Sequence, residues 1–445
     1  MITILMKRFF VVLFFLLLLC QAKAQVKMLD PMIAQALSQV NEDSIESHIN
    51  DLIKFHTRHN LSTQTDPKIG LGAAMKFLEK RCNTWAAQAT GRLKPIVEMM
   101  HYEAGGEKTR LGRLVNLPNL VVTLPGTEGK HELLILAHVD SRVNDNSDGE
   151  TYAPGANDDG SGVACLLETV RILSKVQLKQ TIKCLFVSGE EHGLLGAGAI
   201  ADRAKNEGWP ILAVLNNDMI GNSVASETGL STDKMVRVFS DSPQGEDSNN
   251  RQLARYVKEL GEQYVPGHEV KLIYRNDRYR RGGDHTPFMK LGYAAIRLCE
   301  YYENYDRTHQ VVREENGNKY GDVLSGVNFV YVARNTRVNM ATLMNLCMAP
   351  DTPSNAEIAN ANALSNYTEL AWNPVTDKQG KIDISVRYEI LYRETDQSTW
   401  NVYQTCVLNG NGRQKISLPI SKDNFFFAVR SVSAEGHPSL PAVCR

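Results

Sequence analysis

The sequence has no excess of charge of either sign: 49 Lys and Arg residues stand against 50 Asp and Glu residues in 445. A protein without a net positive field does not gather a polyanion, which argues against nucleic acid as its partner. Hydrophobic residues make up 43% of the chain and charged residues 22%, values that exclude a disordered, collagen-like or coiled-coil protein. The length allows two or three domains of roughly 150 residues each.

Cysteines are few and scattered. There are eight, and no two of them form a CxxC pair, so the sequence predicts neither a disulfide framework nor a zinc–thiolate site. Cys165, Cys184 and Cys299 lie within apolar runs and are predicted to be buried thiols. Cys406 and Cys444 fall in the same C-terminal segment, which allows a disulfide between them without requiring one.

Long apolar runs are also rare, and the clearest one lies near the start of the chain. Two basic residues precede an unbroken run of 11 apolar residues, Phe9 to Leu19, and small residues follow at Ala22 and Ala24. This pattern predicts a secretory signal peptide over residues 1–24. Because no later run reaches roughly 18 apolar residues, we expect an exported protein, periplasmic or extracellular, without a transmembrane anchor. A lipid anchor on Cys20 is the alternative, which the large leucine before it disfavours.

Sequence patterns divide the remaining chain into three parts. From Asp30 to about Gly105 the spacing of apolar residues is helical. From Asn119 to Met348, strands that are apolar throughout alternate with helices, which predicts a mostly parallel sheet covered by helices on both faces. After a linker with two prolines, short alternating strands separated by turns predict a β-sandwich. We therefore predict an α/β domain over residues 25–348 and an all-β domain over residues 353–445.

The individual elements follow from hydrophobic periodicity and from turn residues. The predicted helices are Ser44–Phe55, Gly72–Leu78, Val163–Leu173, Leu194–Lys205, Asn250–Gln263 and Asp322–Met348. The predicted strands of the α/β part are Asn119–Leu124, Glu132–Ala137, Thr181–Val187, Ile211–Leu215 and Ile296–Cys299.

Ionisable residues cluster where these strands end. The second strand runs into His138 and Asp140, which share one face of an extended chain as residues i and i+2. Asp140 is thus placed to orient the His138 ring and to leave one ring nitrogen free for a metal. The glycine-rich turn that follows carries Asp158 and Asp159 before a helix, and these carboxylates either cap the helix or bind a metal. Its two carboxylates and its lack of lysine disfavour a phosphate site.

The later strands end in the same way. Glu190 and Glu191 follow one strand, Asp218 follows the next, and His285 lies in a turn flanked by glycines. Each motif alone is typical of a solvated loop, but ligands of open α/β sheets bind in the crevice at the carboxyl ends of the strands. Two histidines and at least three carboxylates are an oxygen and nitrogen ligand set suited to two divalent cations, zinc above all.

The order of these motifs resembles a known family. HVD, GANDDGSG, SGEEHGLLGA, NNDMIG and GGDH are similar to the co-catalytic two-zinc exopeptidases that include bacterial leucyl aminopeptidases and glutamate carboxypeptidase II. The resemblance covers about Asn116 to Tyr305. It implies the zinc exopeptidase fold, two Zn²⁺ ions per chain and the hydrolysis of peptide bonds, most of all at the N-termini of peptides or proteins.

The resemblance also implies a role for each matching residue. It implies five metal ligands, with one bridging carboxylate and two further ligands on each ion: Asp158 as the bridge, His138 and Asp218 on one zinc, and Glu191 and His285 on the other. Glu190 is the implied general base, and Asp140 supports His138. A cis peptide bond between Asp158 and Asp159 is a further implication of the family.

Residues near the last motif are candidates for holding the substrate. Tyr279, Arg280 and Arg281 either bind a substrate carbonyl and the oxyanion or form a solvated, charged loop. Tyr302 belongs to a polar aromatic stretch after the last predicted strand, which either lines the mouth of the pocket or is solvated. His309, at the end of that stretch, is predicted to be a loop residue with satisfied hydrogen bonds rather than a metal ligand.

Three other functions compete with an aminopeptidase. Glutaminyl cyclases resemble the same family but use one zinc in an acyl transfer that releases ammonia. A carboxypeptidase needs basic residues for the terminal carboxylate, and Arg280 and Arg281 leave that function open. A binding protein that has lost catalysis would lack a ligand or the base, and none is missing here.

The C-terminal strands resemble a fibronectin type III module. The resemblance rests on Trp372, on the tyrosine-bearing strand Arg387–Arg393 and on the phenylalanine-rich strand Asn424–Arg430. No catalytic motif occurs in this segment, so we predict a spacer or a domain that binds a protein or glycan partner.

Overall fold

The computed structural model describes residues 29–445 except residues 243, 244, 246, 280, 378, 409 and 411. The predicted signal peptide, with Cys20, and the candidate substrate residue Arg280 lie outside the described residues. Within the described part, no helix combines the length and the apolar character needed to span a bilayer.

Helices and strands alternate through the first three quarters of the described chain, and strands alone follow. The helices are α1 Pro31–Ser38, α2 Glu42–Leu52, α3 Gly70–Ala87, α4 Gly160–Leu173, α5 Leu195–Glu207, α6 Asn249–Tyr264, α7 His285–Lys290 and α8 Phe329–Met348. The strands are β1 Ile96–Gly105, β2 Leu114–Leu124, β3 Glu132–His138, β4 Thr181–Val187, β5 Ile211–Asn217, β6 Met235–Phe239, β7 Glu269–Ile273, β8 Ala295–Glu300, β9 Arg313–Glu315, β10 Asn318–Tyr320, β11 Ser354–Ile358, β12 Thr368–Asn373, β13 Arg387–Glu394, β14 Asn401–Cys406, β15 Gln414–Leu418, β16 Phe425–Val432 and β17 Ala442–Cys444.

One large sheet organises the α/β part. Its eight strands lie in the order β1-β2-β4-β3-β5-β8-β6-β7. The central strands β4, β3, β5 and β8 are mutually parallel, whereas β1 and β2 run antiparallel at one edge. Apolar side chains of α2, α3, α4, α6 and α8 cover one face of the sheet, and those of α5 and α7 cover the other. The predicted fold class, a mostly parallel sheet with helices on both faces, is confirmed.

The first strand corrects the sequence analysis. We expected helical structure up to Gly105, but residues Ile96–Gly105 form β1 and pair antiparallel with β2 along their whole length. The spacing of apolar residues within this segment did not determine its secondary structure. Pairing with β2 did, because a strand is stabilised by its neighbour across the sheet. The predicted helix Asp322–Met348 also begins later, at Phe329, where the Asn328 side chain accepts a hydrogen bond from the Tyr331 N–H.

The C-terminal strands form two antiparallel sheets, β11-β12-β15 and β14-β13-β16-β17. Trp372, Tyr388 and Phe427 lie in the core between them. Cys406 and Cys444 are both free thiols, so the disulfide that the sequence allowed is not formed. Cys165, Cys184 and Cys299 are buried free thiols, as predicted.

Candidate metal centre and active site

The candidate site lies at the carboxyl edge of the parallel strands. β3 ends at His138, which pairs with Val187 at the end of β4, and the Glu190–Glu191 pair follows that strand. β5 lies on the other side of β3 and is followed by Asp218. Parallel strands end on the same edge, so the register of the sheet brings these side chains together.

The turn before α4 brings in the remaining carboxylate, Asp158. The peptide bond between Asp158 and Asp159 is cis, as the family resemblance implied. Asp159 accepts hydrogen bonds from the backbone N–H groups of Gly162, His138 and Met219, so it joins the start of α4 to the ends of β3 and β5. These bonds fix where the Asp158 side chain points.

Two sets of ligand atoms meet at Asp158. Nε2 of His138 lies 3.1 Å from Asp158 Oδ1 and 3.8 Å from Asp218 Oδ1. Nε2 of His309 lies 3.0 Å from Asp158 Oδ2 and 2.8 Å from Glu191 Oε1. Within each set the ligand atoms lie within 4.8 Å of one another. Asp158 therefore turns one carboxylate oxygen toward each set, which is the geometry of a carboxylate between two cations.

The two outer carboxylates are held from behind by arginines. Glu191 turns Oε2 to Arg142 Nε at 2.8 Å, while its Oε1 faces His309. Asp218 turns Oδ2 to Arg297 Nη2 at 3.0 Å, while its Oδ1 faces His138. Such partners behind a ligand orient it and reduce its freedom to rotate.

Asp140 supports His138 in a different way from the simple carboxylate–imidazole contact that we expected. Nδ1 of His138 lies 3.0 Å from the backbone carbonyl oxygen of Asp140 and 3.6 Å from its Oδ1. Nε2 is thereby left for the cluster. The Asp140 carboxylate also accepts hydrogen bonds from the N–H groups of Glu190 and Glu191, at 3.3 and 3.2 Å.

Burial and mutual repulsion disturb the acid–base properties of the site. Burial, together with the charges of Asp218 and Glu191, raises the pKa of Glu190 well above its usual range. Burial would do the same to Asp158, but hydrogen bonds from His138 and His309 hold its pKa well below the usual range. For His309, burial is outweighed by Glu191 and Asp158, which raise its pKa to about 10.

The donor set fits a divalent cation. Five buried or half-buried carboxylates converge at the site: Asp140, Asp158, Glu190, Glu191 and Asp218. Only two arginines among the described contacts are paired with them, and without a metal the protonated His309 supplies the balancing charge between two carboxylates. Oxygen and imidazole ligands of this kind suit zinc.

The structure does not bring His285 to this cluster. His285 begins α7, its Nε2 lies 2.8 Å from the backbone oxygen and from the side-chain oxygen of Asn276, and burial lowers its pKa to about 4. His309, which the sequence analysis set aside, occupies the place expected for His285. The sequence contained a sign of this role for His309. The stretch with His309 follows β8 and therefore leaves the sheet at the same edge as the other motifs.

The candidate substrate residues lie outside the two ligand sets. Tyr279 is 70% exposed, with the Arg275 guanidinium 5.6 Å from its ring, and Arg281 is exposed. Tyr302 is half-buried and packs edge-on against Tyr301, with ring centroids 4.9 Å apart. Their roles remain predictions.

Comparison with known sequences points to one family. The model of peptidase family M28 matches residues 119–328. A protein of Leptosphaeria maculans named "Probable zinc metalloprotease" is 37% identical over 424 residues, which cover 92% of this chain and 95% of that protein. A protein of Pyricularia oryzae with the same name is 36% identical, over 91% of this chain and 82% of that protein.

Comparison with solved structures points to the same fold. The LapA aminopeptidase of Legionella pneumophila superposes with a TM-score of 0.54 at 20% identity, over 74% of this chain and 78% of that one. A leucine aminopeptidase precursor of Bacteroides thetaiotaomicron superposes with a TM-score of 0.50 at 16% identity, over 69% of this chain and 98% of that one. At this level of identity the similarity shows a shared fold.

Proposed function

The chain belongs to peptidase family M28, and on that premise we propose that it is a zinc-dependent aminopeptidase with two zinc ions in its active site. The proposed ligands are Asp158 between the two ions, His138 and Asp218 on one ion, and Glu191 and His309 on the other. His309 thus replaces His285 in the ligand set expected from the sequence.

The observation that carries the proposal is the position of Asp158. Its two oxygens face different imidazoles, His138 at 3.1 Å and His309 at 3.0 Å, and each imidazole has a further carboxylate beside it. A single cation would use one of these sets and leave the oxygen and imidazole donors of the other set without a cation. Two cations satisfy both.

The proposed chemistry divides between the metal and the chain. When bound, two zinc ions polarise the scissile carbonyl and lower the pKa of the attacking water. Glu190 would take a proton from that water and deliver it to the leaving amine, first as general base and then as general acid. Asp140 fixes the backbone of Glu190 through the hydrogen bond from its N–H.

The charge of the site supports an aminopeptidase over a carboxypeptidase. Arg142 and Arg297 are already paired with Glu191 and Asp218, so neither is left to bind a substrate carboxylate. We also propose that the protein is exported, from the leader at residues 1–24, and that its C-terminal sheets form a fibronectin type III-like module.

The test combines metal analysis of the purified protein with a substrate panel. We expect about two zinc ions per chain and cleavage of aminoacyl amides with a free amino group, but not of N-blocked peptides. Glu190→Gln is the control, and it should keep its zinc while losing about 10³-fold or more in kcat, the size of effect expected for a general base. Cleavage of N-blocked peptides would indicate a carboxypeptidase, and one zinc with ammonia release from N-terminal Gln would indicate a cyclase.

A further inference from the structure

A buried segment outside the ligand set lies behind Asp140. Asn60 is 1% exposed, and its Nδ2 lies 2.6 Å from Asp140 Oδ2 and 2.8 Å from Nδ1 of His192, which is 5% exposed. We propose that Asn60 and His192 are positioning residues that fix the orientation of the Asp140 carboxylate and, through the N–H groups of Glu190 and Glu191 that donate to it, the placement of the proposed zinc ligand Glu191. This inference rests on the proposed function, since it concerns the same metal centre.

The hydrogen bonds of Asn60 allow only one arrangement. The amide group must point Nδ2 toward Asp140, because its oxygen would otherwise meet a carboxylate oxygen at 2.6 Å. One Nδ2 hydrogen then goes to Asp140 and the other to His192 Nδ1, which must accept it. The proton of His192 is therefore on Nε2, which donates to the backbone oxygen of Asn146 at 3.0 Å.

Asp140 depends on this contact more than on its other partners. Its carboxylate is fully buried and accepts two backbone N–H groups at 3.3 and 3.2 Å, from Glu190 and Glu191. The contact with Asn60, at 2.6 Å, is the shortest of the three. Without it, the Asp140 carboxylate can rotate, and the backbone N–H groups of Glu190 and Glu191 lose a fixed acceptor.

The chain offers a matched control in His59. Like His192 it is buried, its Nε2 lies 3.0 Å from the same Asn146 oxygen, and the two rings pack edge-on with centroids 4.8 Å apart. Its Nδ1, however, accepts the N–H of Leu61, so its described hydrogen bonds lead away from Asp140. A role in packing alone would make the two histidines equivalent, whereas a positioning role would not.

The experiment measures zinc affinity by competition with a fluorescent chelator. His192→Gln removes the acceptor at Nδ1, and we expect zinc binding to weaken by about 10-fold or more, as for other groups behind metal ligands. His192→Asn places an oxygen where Nδ1 was and should restore most of the affinity. His59→Gln keeps a donor at the Nε2 position and should leave zinc affinity within about two-fold of wild type, a limit set well below the effect expected for His192→Gln.

Two outcomes would overturn the inference: equal weakening in His59→Gln and His192→Gln, or no difference between His192→Asn and His192→Gln. Circular dichroism and melting of the zinc-free variants exclude loss of fold as the cause. The ring ¹⁵N shifts of His192 in zinc-free protein give a readout that does not depend on the metal, and they should report the Nε2–H form. If the wild type binds no zinc, the proposed function fails, while a His192 ring protonated on Nδ1 rejects the network itself.

Discussion

Two of the regions that bury charged side chains differ in how these charges are balanced. Where α6 meets the C-terminal sheets, three arginines pair with three carboxylates at 2.6 to 3.1 Å: Arg255 and Arg393 with Asp247, and Arg430 with Glu259 and Glu389. At the carboxyl edge of the large sheet, five carboxylates gather around two arginines and two histidines. The buried charges at this interface between α6 and the C-terminal sheets balance one another, whereas the charges at the sheet edge balance only when a cation is bound.

The difference separates a structural use of buried charge from a functional one. A buried charge is tolerated when it is paired and hydrogen-bonded, and the interface satisfies this rule within the chain. The sheet edge breaks the rule, and the pKa values of Glu190, Asp158 and His309 there are strongly shifted, as expected where a fold is shaped for chemistry.

The largest effect is expected when a proposed metal ligand is removed from the sheet edge. His309→Ala takes away the group between Asp158 and Glu191, so we expect it to lose about one zinc ion per chain and about 10²-fold or more in kcat/KM. His285→Ala is the control, because His285 is a fully buried histidine near this edge that contacts Asn276 and not the carboxylates. Metal analysis and steady-state kinetics measure both effects.

The opposite pattern would restore the ligand set expected from the sequence. If His285→Ala loses zinc and His309→Ala keeps it, then the contacts of His309 with Asp158 and Glu191 belong to the metal-free chain alone. His285→Ala should instead lower the free energy of unfolding, since it leaves a cavity and removes the His285 partner of Asn276 Oδ1.

Much of this edge could be predicted from the sequence, for a physical reason. In a parallel sheet the end of each strand fixes where the next residues lie, so His138, Glu191 and Asp218 were brought together by strand register alone. The choice between His285 and His309 was not accessible in this way. His309 reaches Asp158 through a loop with a positive φ of 58° at His309 itself, and no periodic pattern specifies such a path.

The supporting residues were the hardest to predict. Asn60 lies far from the motifs in sequence, in a segment without periodicity. Arg142 follows the HVD motif by two residues and Arg297 lies within β8, but neither position indicates a contact with Glu191 or Asp218. Their roles follow from long-range packing, which local spacing does not encode. β1 was missed for the same reason, because its partner β2 rather than its own spacing makes it a strand.

A second test asks whether an ion pair between α6 and the C-terminal sheets can be removed without affecting the candidate metal centre. Arg430 is 2% exposed and pairs with Glu259 and Glu389, so Arg430→Met removes a guanidinium that contacts both carboxylates. We expect a loss of about 3 kcal/mol in the free energy of unfolding, the lower end for a broken buried pair because Glu259 is partly exposed. Zinc content and kcat/KM of the folded protein should not change.

The control for that test lies on the surface of the same sheets. Arg413 pairs with Glu357 at 2.9 Å, with side-chain exposures of 33% and 52%. Arg413→Met should cost less than about 1 kcal/mol, as exposed pairs do. Urea unfolding compares the two variants, and a fall in zinc content in Arg430→Met would show that the interface and the metal centre are not independent.

The smallest expected effect is a change in how the free energy of unfolding depends on pH. Burial, reinforced by the neighbouring His192, lowers the pKa of His59 behind the metal centre to about 4. The folded protein therefore keeps His59 neutral, and its contribution to stability is present above pH ~6.5 and is lost as the pH falls toward ~4, because the unfolded chain binds the proton first. By linkage the loss at pH 5 is about 2 kcal/mol.

His59→Gln, which cannot take up this proton, should lose correspondingly less stability between pH 7.5 and pH 5. Urea unfolding of zinc-free protein is the measurement, since acid would otherwise also release the metal. Where the C-terminal segment meets the start of α1 and α8, Asp30 lies 3.0 Å from His437 Nε2 and opposes the effect of burial on the pKa of His437, so His437→Gln should change the acid sensitivity less. If wild type and His59→Gln lose equal amounts of unfolding free energy between pH 7.5 and pH 5, His59 does not make the sheet edge sensitive to acid. The difference between the two regions would then rest on metal binding alone.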